Sequence, residues 1–112
     1  MAKIKDLALV DGFDWHGERQ TALPLREPSG RDVADLGEPR VLVRTVNGYY
    51  YVEQTETIRR YIERCSKHES GKDVVSVLSM VDYLLVKDCI TDFFIQAELK
   101  ITAARQTPSS SE

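Results

Sequence analysis

The stretch VLVRTVNGYYYVEQ, residues 41–54, constrains this chain more than any other. Asn47-Gly48 is a strong type I′ turn dipeptide, because both residues tolerate positive φ, and it stands between two arms rich in β-branched and aromatic residues. A two-residue loop there pairs Val46 with Tyr49, Thr45 with Tyr50, Arg44 with Tyr51 and Val43 with Val52. Cross-strand partners share a face. One face then holds Val41, Val43, Thr45, Tyr50 and Val52, and is expected to cover the core. The other holds Leu42, Arg44, Val46, Tyr49, Tyr51 and Glu53, the mixture expected where a partner or solvent is met.

Residues 7–26 predict a second, N-terminal hairpin. Leu7, Leu9, Phe13 and Trp15 share a parity, with a bulge or bend expected where Asp11-Gly12 interrupts them. The connection reads as His16-Gly17-Glu18, and Thr21, Leu23 and Leu25 line one face of the return arm. Pro24 has no N–H to give a ladder, which makes this an edge strand. Ser29 with Asp32 fits a capping box opening a short helix, in which Val33 and Leu36 face inward.

Two main helices follow. Ile58, Tyr61, Ile62 and Cys65 recur at helical spacing over residues 56–65, with Thr55 as the expected cap. Residues 74–78 fit a short strand or the lead-in to the next helix. The last helix is expected from Met80 to about Gln96, with Leu85, Val86, Cys89, Ile90 and Phe93 on one broad apolar arc. Ser79 and Asp82 fit another capping box. Phe94 falls at the margin of the arc and Leu84 on its polar side. The expected fold is α+β: an N-terminal hairpin, a second hairpin, and two main helices packed on them. Residues 1–101 form one domain and residues 102–112 a disordered tail.

Composition narrows the function. The chain has 112 residues, with 15 basic against 18 acidic, for a net charge of −3. That balance argues against nucleic-acid binding through bulk electrostatics. The cluster Arg59, Arg60, Arg64 and Lys67 reads as a solvated helix face balanced by Glu56, Glu63 and Glu69. No run of about 18 apolar residues is present, so no membrane span is expected. The opening MAKIKDLALVDG also lacks the apolar run of a signal peptide. Cys65 and Cys89 fall in apolar helical patterns without a C-x-x-C partner, as expected of reduced core thiols in a cytoplasmic protein. Neither His16 nor His68 has a cysteine or histidine at metal-ligand spacing. No catalytic motif stands out, so the expectation is a non-enzymatic protein with no metal and no cofactor.

What remains is apolar surface in excess of one small core. Tyr49 and Tyr51 lie on the outward face of the central hairpin, and tyrosine is a common interface anchor. Leu84, Phe94 and Ile95 lie on or beyond the margin of the last helix's arc, where a partner helix or a second copy would cover them. These five residues are the candidate partner-binding set.

HGERQTALPLREPSGRDV, residues 16–33, resembles the N-terminal signature of short tail assembly chaperones of Mu-like contractile-tailed phages. That signature is a glycine turn, a strand ending in L-x-L-R-E-P, and an aspartate shortly after. Here these are Gly17, Leu23, Leu25, Arg26, Glu27, Pro28 and Asp32. LSMVDYLLVKDCITDFF, residues 78–94, is similar to the family's later segment through Leu78, Ser79, Asp82, Phe93 and Phe94. The resemblance implies a protein that keeps the long helical tape measure protein soluble and helps gather tail tube protein around it, in the host bacterial cytoplasm. The family runs mostly helical after the R-E-P segment, whereas residues 40–54 here read as a hairpin. Arg26 and Glu27 read as structural, a strand-end pair or local brace. The alternative reading is a small regulatory or inhibitory protein that binds a host factor through the Tyr49/Tyr51 face.

Overall fold

Residues 4–106, which the computed structural model describes, form two antiparallel hairpins and four helices, an α+β fold. β1 (Ile4–Trp15) pairs with β2 (Glu18–Arg26), and α1 (Gly30–Leu36) follows. β3 (Arg40–Thr45) then pairs with β4 (Gly48–Glu53). α2 (Thr55–Cys65) comes next, and a 3₁₀ turn at Gly71–Asp73 runs into the short α3 (Val74–Val77). Residues 74–77 are thus helical and lead toward α4 (Met80–Gln106). No helix among the described residues is long and apolar enough to cross a membrane.

The first hairpin turns more tightly than its sequence predicts. Trp15 pairs with Glu18, so only His16 and Gly17 form the loop. Both take positive φ, at 50° and 81°, as a primed turn demands. The bulge falls where Asp11-Gly12 foretells it. The register shifts between Ala8 and Phe13, so the intervening residues of β1 stand outside the paired ladder with β2. Gly12 is required there: its φ is 76°, and an added Cβ would lie 2.6 Å from the Gln20 carbonyl oxygen.

The core forms where β2 meets α2 and α4. Leu23 and Leu25 present the buried parity of β2, and Ile58, Tyr61, Ile62 and Cys65 bring the full predicted stripe of α2. Val86, Cys89 and Ile90 come from α4, and Val74 closes the side. On the outer edge of β2, Leu25 bridges to Ser66 and the Pro24 carbonyl accepts from Lys67 N. Cys65 and Cys89 are buried free thiols, and burial pushes Cys65 up to about 11.

The central hairpin departs from expectation in register and burial. Thr45 pairs with Gly48, Arg44 with Tyr49 and Val43 with Tyr50. The loop is therefore Val46-Asn47. The Thr45 hydroxyl causes this: its Oγ1 accepts from Asn47 N at 3.1 Å and donates to the Gly48 carbonyl at 3.0 Å. That side-chain turn leaves Gly48 alone to carry a positive φ of 126°. The slip is an even number of residues, so every side chain keeps its predicted face while changing its partner. The expected core face, however, covers nothing. Val41, Tyr50 and Val52 are exposed and only Val43 is partly buried, so both faces of the hairpin meet solvent. The hairpin is tied to the body at its base, through Gln54 N to the Pro39 carbonyl, Lys87 to Glu53 and Arg40 to Glu98.

α4 runs past its expected end at Gln96 to Gln106, so residues 102–106 of the expected disordered tail are helical and exposed. Residues 107–112 of that tail lie outside the described residues. Thr55 is the first residue of α2 rather than its cap; Gln54 holds that position without a side-chain bond. The projecting hairpin and helix make the molecule long, 61 × 37 × 25 Å with a radius of gyration of 16.7 Å. A compact domain of this length would have about 13 Å.

Candidate functional site

Two buried carboxylates set the geometry of the surface. Asp32 is held in a bidentate pair by Arg26, at 2.6 and 3.0 Å, and by Arg64 Nε at 3.1 Å. It also completes the capping box, accepting from Ser29 N at 2.7 Å while its own amide donates to Ser29 Oγ. The Arg26 guanidinium holds the Asp32 carboxyl far below the usual carboxylate range against the opposing effect of burial, with Ser29 adding to it. Tyr61 donates its hydroxyl to the Gly37 carbonyl at the end of α1, and burial with the Asp32 charge pushes it up to about 12. The R-E-P segment, α1 and α2 are thus fixed as one piece, with Arg26 as the brace expected of it.

Asp82 does the equivalent at the bulge. It is fully buried, and its carboxylate accepts from Val10 N at 2.7 Å, Asp11 N at 3.1 Å and Gly12 N at 2.8 Å. Burial alone would raise its pKa; the three amides and Ser79 outweigh that and lower it. The expected capping box at Ser79 is therefore only half formed. Ser79 Oγ accepts from Asp82 N, but the carboxylate serves the β1 bulge.

An apolar groove opens between these fixed parts. Pro28 and Val33 form one wall, and Phe93, Phe94 and Ala97 of α4 form the other. The Phe94 ring meets Tyr61 edge-on at 5.3 Å, so the groove floor is continuous with the core. Its volume is about 220 Å³, below the roughly 300–1,000 Å³ of ordinary small-molecule sites. It suits an anchoring side chain from a partner. Val33, expected to face inward, instead stands half-exposed on the rim, and Leu36 alone of the pair packs on the core.

The five sequence-predicted partner residues do not converge. Phe94 lines the groove. Leu84 is exposed on the outer side of α4, with Ile95 partly buried along the same side. Tyr49 and Tyr51 stand on the central hairpin, 63% and 47% exposed. Arg44 lies over the Tyr49 ring at 5.3 Å and Arg40 over Tyr51 at 3.8 Å. Sequence reasoning missed Val33 and Ala97 as groove residues. Their spacing carries no signal, because the groove exists only once α1 is pinned beside α4.

The arginines of the basic cluster are each matched by a carboxylate. Arg59 pairs with Glu56 and Glu63, Arg60 with Glu56, and Arg64 with Asp32 and Asp35. Near the first turn, the His68 ring meets Phe13 and Trp15 edge-on and hydrogen-bonds Ser70 and Gln20. Among the described residues, no group of three His, Cys, Asp or Glu is placed to hold a metal ion. Comparison with family models, curated proteins and solved structures finds no match.

Proposed function

We propose that this chain is a binding protein of the tail assembly chaperone type, which holds an apolar helical segment of the tape measure protein and helps gather tail tube protein around it. The observation that carries the reading is the convergence of two distant stretches on one groove. Pro28 of the R-E-P segment and Phe93 and Phe94 at the aromatic end of α4 line the same apolar cleft. These are the stretches through which the chain resembles that family. A groove of this size takes one apolar anchor of an amphipathic helix, in the helix-in-groove manner. The buried Asp32 node holds one wall rigid, which lowers the ordering cost of binding.

The test is capture of a tape measure segment by the full chain, read by calorimetry. Val33→Glu with Ala97→Glu puts two charges on the groove rim at exposed positions, and should weaken capture at least about tenfold while leaving the melting temperature nearly unchanged. Phe94→Asp is the poorer probe, because Phe94 packs on Tyr61 and its loss disturbs the core. Normal capture by the double variant removes the groove from the mechanism.

A second reading has its own observation. Tyr49 and Tyr51 form an exposed face with arginines stacked on both rings, a composition typical of interface anchors. In that reading the chain is a small regulator that captures a host factor through the hairpin. Tyr49→Ala with Tyr51→Ala then abolishes capture, and the groove variant does not.

A further inference from the structure

The outer side of α4 carries a stripe that the core does not use. Val81, Leu84, Asp88, Asp92, Ile95 and Leu99 recur at intervals of three and four residues. All are exposed except Ile95, which is partly buried. The stripe is apolar at both ends and acidic in the middle. Such spacing makes one continuous face along a helix. Among the described residues, Asp88 and Asp92 have no ion pair.

The central hairpin carries the complementary arrangement. One of its faces presents Leu42, Tyr49 and Tyr51 around Arg44, with the fully exposed Val46 at the tip. Arg44 lies on the Tyr49 ring and, among the described residues, has no carboxylate partner. An isolated two-stranded hairpin is marginal in water. The Lys87–Glu53 and Arg40–Glu98 pairs set the base of the hairpin beside α4, so face and stripe lie near one another in one molecule.

We infer that this chain forms a two-fold symmetric dimer, in which the Arg44/Tyr49/Tyr51 face of each copy's hairpin docks on the α4 stripe of the other. Arg44 then meets Asp88 and Asp92, and Leu42 and the tyrosines meet the apolar ends. The exchange is reciprocal, so the assembly closes after two copies. Each copy would bury both its face and its stripe, and a standard interface takes on the order of 800 Å² from each partner. A charged centre ringed by aromatic and aliphatic side chains places Arg44, which has no carboxylate partner among the described residues, where it is most strongly held. The groove lined by Val33 and Ala97 is a separate surface, so the dimer stands or falls independently of tape measure binding.

Sedimentation equilibrium over micromolar concentrations is the direct test. The full chain should be dimeric. Arg44→Glu alone, and Asp88→Arg with Asp92→Arg, should each raise the dimer dissociation constant at least about tenfold without changing circular dichroism, since all three side chains are exposed. The triple variant carrying both reversals should recover most of the lost affinity. A monomer at every concentration overturns the proposal. So does a dimer indifferent to these substitutions, or one that the reciprocal charge reversal fails to restore. Val33→Glu with Ala97→Glu should leave the dimer intact.

Discussion

Asp82 and Asp32 each occupy a position where a charge is more useful than an apolar side chain. Asp82 answers the amides of Val10, Asp11 and Gly12, which the β1 bulge removes from their ladder. An asparagine there has one acceptor oxygen and turns an N–H₂ group toward N–H donors. Hydrogen bonds to a charged acceptor contribute roughly 1.5–3 kcal/mol each, and their losses are not additive. Asp82→Asn should therefore cost about 2–4 kcal/mol at neutral pH, read from the midpoint of urea unfolding; a loss under about 0.5 kcal/mol would contradict this assignment. The pH dependence has a definite sign. Both folded carboxyls titrate below their unfolded value, so their stabilisation is complete above the unfolded pKa of about 3.9 and is lost as pH falls through the folded values. The wild type should lose stability steeply below about pH 4, and Asp82→Asn should flatten that acid limb. The thiols behave oppositely. Burial raises both Cys65 and Cys89, so neither should react with a thiol reagent near neutral pH until the protein unfolds. Spacing could mark Ser29 with Asp32 as a cap. It could not mark Arg64 as the third member of that node, nor pair Asp82 with a strand some seventy residues away, because those contacts depend on how α2 and α4 pack.

At the scale of elements, local chemistry was legible wherever it acted alone. Asp11-Gly12 identified the bulge, and the apolar stripe of α2 identified its buried face residue for residue. Gly12→Ala tests the first of these. The substitution forces a non-glycine residue into positive φ and drives its Cβ onto the Gln20 carbonyl. It should cost about 2 kcal/mol or more in denaturant unfolding. A Gly17→Ala control faces the same φ with open space around it, and should cost less. The central hairpin was legible as a hairpin but not in its register. The Asn-Gly preference for a primed loop met a competing claim from the Thr45 hydroxyl two residues earlier, and the hydroxyl prevailed. Its burial was not legible either. Alternation identifies two faces of a strand without saying whether any layer lies over them, and here, among the described residues, neither face has one.

At the scale of the whole molecule, the fold class follows from the sequence, but the shape does not. A radius of gyration of 16.7 Å means that much of the chain lies outside the packed body. Stability should be distributed accordingly, and amide hydrogen exchange measures that distribution. Amides of Tyr61, Ile62, Val86 and Ile90, whose side chains are fully buried, should exchange only by global unfolding. Residues 99–106 of α4 are exposed throughout and should exchange by fraying. The central hairpin discriminates between a free monomer and the reciprocal dimer. In a monomer, β3 and β4 share only each other's hydrogen bonds and should open locally at low free energy, with exchange independent of protein concentration. In the dimer, each hairpin opening must also release its contact with the second copy. Protection at Val43, Tyr50 and Val52, whose amides lie in the hydrogen-bonded pairs of the ladder, should then rise with concentration, as mass action requires of any contact made between copies. Protection in the core should stay fixed by comparison. Hairpin exchange that is fast and unchanged across that range would assign the hairpin to solvent or to a different partner, and would remove the second copy from its surface.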